Sequence, residues 1–175
     1  MISFIAKLLV ALNNNSRPFE IASGISFGLL LALIPAGNLL WIGIFIITFF
    51  LKHNISALLL SMGLFRIFIS VLDQFLHLIG ETLLEWPVLQ NIFTLIYNTP
   101  FLAYTNFNNT IVMGGFVLGI ILWLPVFLLF KVLIKVYRKK LAPKIAESKI
   151  IKLLKKVPIL SKLGGSIQKI TSLAS

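Results

Sequence analysis

The chain has 175 residues, no cysteine, a formal net charge of +11 and 58% hydrophobic residues, with a mean hydropathy of +1.00. An apolar content well above the roughly 45–50% of soluble domains excludes an ordinary water-soluble core. Without cysteine there are no disulfides, thiolate zinc sites, iron–sulfur clusters or thiol nucleophiles.

The charge is concentrated at one end. Residues 131–175 hold twelve Lys/Arg and one acidic residue, Glu147, whereas residues 1–130 hold four residues of each sign. A neutral apolar body with a cationic tail reads as a membrane-embedded protein whose tail stays on the cytoplasmic side, because Lys and Arg cross poorly and the inner leaflet is anionic. The expected division is an interfacial helix over 1–16, a helical membrane domain over 17–130 and a basic amphipathic tail over 131–175.

Phe4, Ile5, Leu8, Leu9 and Leu12 recur at helical spacing with Ser3 and Lys7 opposite, which predicts an amphipathic helix lying in the cytoplasmic interface. Lys7 and the Asn13-Asn14-Asn15 run argue against a cleaved signal peptide. Between Glu20 and Lys52 no residue is charged, and the run is broken at Pro35, Gly37 and Asn38. Proline removes a donor and glycine admits turn geometry, so a hairpin joins a helix near 18–34 to one near 38–51. Both arms are short for full spans. Either they cross with thin ends or they form a re-entrant loop, which requires the turn's polar groups to be covered by protein or to face a wet cavity.

After Lys52, His53 and Asn54 the chain is apolar from Ile55 to about Leu72, long enough to cross, but carries Arg66. Continuing that helical phase puts Arg66, Ser70, Asp73, His77, Glu81 and Glu85 on one arc of roughly 120°. Two readings compete. In one, the outer turns present a solvated face and Arg66 snorkels or pairs with Asp73. In the other, Arg66, Asp73, His77 and Glu81 line a cavity that binds an ion, a proton or a lipid headgroup. No metal site is expected, since Asp73 and His77 lack further convergent ligands, and no cofactor is expected either.

Beyond Trp86-Pro87, the segment to Tyr104 is interrupted by Asn91, Asn98 and Pro100 and reads as an interfacial helix and loop, with Trp86, Tyr97 and Tyr104 at headgroup level. The Thr105–Asn109 cluster supplies a cap for a last transmembrane helix over 110–130, in which Pro125 makes a kink without ending it. Gly24 and Gly28, like Gly115 and Gly119, have the four-residue spacing that lets helix backbones approach, within the chain or in a homo-oligomer. Past Pro143 a basic amphipathic helix offers Lys149, Lys152, Lys155 and Lys156 to anionic lipid of the inner leaflet. No aromatic or glycine-rich reader accompanies these lysines, so nucleic acid is not expected as a partner. Both termini are expected to be cytoplasmic.

The residues Arg17-Pro18-Phe19-Glu20-Ile21-Ala22-Ser23-Gly24 with Gly28 and Pro35, followed by Lys52-His53-Asn54, resemble a widespread group of small bacterial inner-membrane proteins that carry a domain of unknown function. The resemblance covers residues 17–85. Where many relatives have an Asn-Pro pair in the next helix, this chain reads Leu64-Phe65-Arg66-Ile67, so it looks like a divergent branch. Some relatives are joined to glycosyltransferase domains that use lipid-linked sugars, which implies a setting in envelope or lipid metabolism but assigns no activity.

No phosphate-cradling loop, nucleophile elbow or paired-histidine motif occurs, and an enzyme is not expected. The expected fold is all-α and polytopic, with a broken or re-entrant N-terminal hairpin and two further membrane helices. The expected role is that of a non-catalytic inner-membrane subunit or scaffold of an envelope or lipid-handling complex, with a protein partner. The alternative is a small transporter or lipid flippase that uses the hairpin and the Arg66/Asp73 stripe.

Overall fold

Proline, asparagine and glycine punctuate an otherwise uniformly apolar chain, and they set where its helices begin and end. The computed structural model describes residues 16–141. The expected amphipathic segments at 1–12 and 144–157, with Lys149, Lys152, Lys155 and Lys156, lie outside the described residues. Within them the chain is helical, with no strand: α1 Pro18–Leu33, α2 Leu39–Phe49, α3 Ile55–Ile69, α4 Asp73–Leu84, α5 Gln90–Asn98 and α6 Thr110–Val136. Short 3-10 turns lie at Ser70–Leu72, Pro87–Leu89 and Leu102–Thr105, and a π turn at Tyr137–Leu141 follows α6.

Pro18 opens α1 at a position where its missing N–H costs nothing, and the Glu20 carboxylate accepts the Arg17 N–H at 3.1 Å. α1 stops because Pro35 disfavours helical geometry at Ile34, whose backbone is extended. Gly37, at φ 97°, then supplies the left-handed step of the turn. Asn38 caps α2 by accepting the Trp41 N–H, Asn54 caps α3 by accepting the Ala57 N–H, and Asn109 caps α6 by accepting from Ile111 and Val112. α6 continues through Pro125 without ending there, as expected, and stops six residues beyond the expected limit at Phe130; its last turns are amphipathic rather than wholly apolar.

α1 is the innermost helix. It is apolar all round, the pattern of a helix that is covered on every side, and Ile21, Ala22, Leu31, Ala32 and Leu33 are almost completely buried. α3 runs parallel to it: the Asn54 N–H donates to the Glu20 carbonyl at 2.9 Å, and a Cβ placed on Gly24 or Gly28 would meet the Leu58 N at 3.2 Å or the Met62 N at 2.9 Å. α6 runs antiparallel on the other side, with Gly115 against Leu33, Gly119 against Leu30 and Phe127 edge-on to Phe19 at 5.2 Å. α2 returns beside α1 and α6, packing Leu40, Trp41 and Ile44 near Leu30, Ile34 and Val112.

The 3-10 turn at Ser70–Leu72 redirects the chain. Arg66 is level with Ala32, yet Leu76, ten residues further on, abuts Gly114, the neighbour of the Gly115 that lies against Leu33. A straight helix would have risen about 15 Å over that interval. α4 therefore crosses over the end of α1, and its Gly80 packs against Thr110 and Gly114 of α6.

The segments Ile55–Leu84 and Thr110–Lys140 are each long and apolar enough to cross a membrane. Only 22% and 17% of their most apolar windows are buried inside the protein, the reverse of a soluble core helix. Side chains such as Ile67, Phe68, Val71, Ile121 and Leu128 are exposed, and so broad an apolar surface marks contact with something other than water.

Candidate functional site

The last carbonyls of a helix have no intrahelical donor, and α1 ends inside the protein. Two long side chains supply what is missing. Trp41 Nε1 donates to the Leu31 carbonyl at 2.9 Å, and Arg66 Nη1 donates to the Ala32 carbonyl at 3.0 Å. A cation there also complements the negative end of the helix dipole. Asn38 Nδ2 closes the turn on the Pro35 carbonyl at 2.7 Å. Of the expected turn residues, Pro35 is half-buried, Asn38 is buried and Gly37 is exposed.

The expected polar stripe is thus divided between two places. Arg66 belongs to the end of α1 and forms no ion pair with Asp73, which opens α4 half-buried. The physical reason is the 3-10 turn, which breaks the 3.6-residue phase on which the arc depended. Ser70 bonds back to the Ile67 carbonyl at 3.2 Å. His77 and Glu81 lie together at the start of α6: His77 Nδ1 is 2.6 Å from Thr110 Oγ1, and Nε2 is 3.8 Å from the Glu81 carboxylate, both side chains being nearly half exposed. Among the described residues no group of three or more His, Cys, Asp or Glu could hold a metal ion.

At the opposite end, where α1 begins, Asn54 holds three elements together. Its side chain caps α3 and donates to Ser16 Oγ at 2.8 Å, while its backbone N–H reaches α1. The adjacent His53 packs on Phe27 with ring centroids 5.8 Å apart. Phe27 also meets Trp123 edge-on at 5.3 Å, Trp123 stacks on Phe127 at 5.4 Å, and Lys131 Nζ lies 5.6 Å from the Phe127 ring centre. Both ring nitrogens of His53 and the Trp123 Nε1 are buried and make no hydrogen bond within the protein. Burial holds the His53 imidazole below its ordinary pKa, and a weak interaction with the Leu51 backbone, short of hydrogen-bond geometry, acts in the opposite direction.

Sequence reasoning missed Gly80 and Gly114, which make the tightest helix contact in company with Thr110 and Leu76. Their separation of 34 residues hides them from a search for four-residue spacing. It also missed the roles of Trp41 and Trp123. The cap at Asn54 was legible as an Asn directly ahead of an apolar run.

No protein-family model matches the chain, and no solved structure matches it. The chain is 33% identical over 159 residues to an uncharacterised protein of Treponema pallidum (strain Nichols), an alignment that spans 91% of this chain and 98% of that protein. Similarity at that level along nearly the whole of both sequences means that the chain belongs to the same family as the Treponema protein.

Proposed function

We propose that this chain is a non-catalytic, multi-pass protein of the bacterial inner membrane, serving as a subunit or scaffold in an envelope or lipid-handling complex. In this reading Ile55–Leu84 and Thr110–Lys140 cross the bilayer, both termini are cytoplasmic, and the α1–α2 hairpin enters from the cytoplasmic side and returns. The basic residues that follow Phe130 support that orientation. The bacterial relative and the pattern over residues 17–85 are in keeping with the setting.

The observation that carries the scaffold reading is the engagement of Arg66 with the Ala32 carbonyl. A transporter or flippase would need Arg66 and Asp73 to share a substrate path. Arg66 instead ties one helix to the end of another, as Asn54 and Trp41 do. Purification of the tagged full-length protein in mild detergent should recover a stable larger assembly with a defined partner. A persistently solitary chain that still complements a deletion strain would overturn the reading.

A further inference from the structure

Polar atoms sealed without partners are costly, and three of them gather at one place in this protein. The two ring nitrogens of His53 and the Nε1 of Trp123 flank the same Phe27 ring. A neutral imidazole offers one donor and one acceptor, and an indole offers one donor. We propose that the junction of α1, the α2–α3 loop and α6 binds one diacyl phospholipid, whose ester carbonyl oxygens accept hydrogen bonds from Trp123 Nε1 and His53 while its phosphate lies toward Lys52 and Lys131. The inference rests on the membrane reading above and adds a ligand to it.

Depth and charge select the ester over the phosphate. Trp123 lies seven residues before Phe130, about 10 Å inside the basic edge of α6. That is below the level of lipid phosphates, since the interfacial layer on each side is only about 5–8 Å thick, and the ester carbonyls are the deepest polar groups a phospholipid offers. An uncharged carbonyl acceptor also matches donors held in aromatic surroundings, where an anion would be penalised. The cations stand at the rim: Lys52 is exposed beside His53, and Lys131 lies over the Phe127 ring on which Trp123 stacks. Phe50, Leu51 and Lys52, on the loop that leads to His53, are exposed, so this edge of the junction faces the surroundings.

The test uses the full-length protein in a neutral detergent, with thermal unfolding followed as dioleoyl phosphatidylglycerol is added. Wild type should show a saturable rise in Tm. Trp123→Phe and His53→Phe keep the ring packing and remove the nitrogens, so without lipid they should melt no lower than wild type. Each should weaken lipid binding about fivefold or more, the scale of one lost hydrogen bond. The diether analogue of the same lipid, which lacks ester carbonyls, should bind wild type as weakly as the ester lipid binds the double variant. Equal shifts with ester and ether lipid, an unchanged shift in the double variant, or the full shift from inorganic phosphate alone would overturn the proposal. Partner recovery from the same preparations separates the two readings: loss of the lipid effect with the assembly intact sinks only this inference.

Discussion

Gly80 of α4 and Gly114 of α6 face each other so closely that a Cβ on either would overlap the backbone of the other helix, at Thr110 in one case and Leu76 in the other. Neither helix can take up the difference by turning a side chain, because the obstructing atoms are main chain. The contact fixes where α4 lies after its change of direction at Ser70–Leu72.

Gly80→Ala and Gly114→Ala should each destabilise the protein by about 1–3 kcal/mol, the usual penalty of overpacking. Gly43→Ala and Gly63→Ala, where a Cβ meets open space, should be neutral or slightly stabilising through helix propensity. Membrane abundance and Tm in detergent give the comparison. Equal effects of all four substitutions would contradict the α4–α6 packing.

Arg66→Ala should lower stability by about 1–3 kcal/mol by leaving the buried end of α1 without its donor. Arg66→Lys, able to reach but with a different donor geometry, should fall between Arg66→Ala and wild type. Asp73→Asn should leave abundance and complementation unchanged, since Arg66 does not depend on it. Loss of complementation by Asp73→Asn at normal abundance would favour transport chemistry over a scaffold.

Asn54→Ala removes the α3 cap together with the tie to Ser16. The cap alone is worth about 0.5–2 kcal/mol. Protease sensitivity should rise first in the loop between α2 and α3, with Asn54→Ser recovering part of the loss. Uniform loosening over the whole chain would instead point to Asn54 as a determinant of global stability.

His53 gives a pH dependence whose sign follows from its burial. Its folded pKa is lowered, so the unfolded chain binds the proton more readily. Stability contributed by the neutral ring is then present above the unfolded value of about 6.5 and declines as pH falls below it toward the folded pKa. Tm measured from pH 7.5 downward should drop more in wild type than in His53→Phe. Parallel profiles would place the pH response elsewhere.

The helices were legible wherever a single residue type sets a boundary: Pro18, Pro35, Asn38, Asn54 and Asn109 all act locally, and their neighbours in sequence reveal them. The polar arc from Arg66 to Glu85 assumes a constant pitch, and three residues of 3-10 geometry between Ile69 and Asp73 change that pitch midway. The approach of Gly80 to Gly114 and the meeting of His53, Phe27 and Trp123 depend on how separate helices lie, which no local pattern encodes. For Arg66 the chemistry could be read but not its recipient, since Ala32 offers only a main-chain oxygen.

The central position of α1 has a consequence for biosynthesis. Ribosomes make it well before α6, so the part of its cover that Gly115 and Gly119 supply over Leu33 and Leu30 arrives several seconds later, at about 5–20 residues per second. Through that interval the nascent hairpin must be sheltered by the insertion machinery, so truncated chains ending before Thr110 should be early targets of membrane quality control.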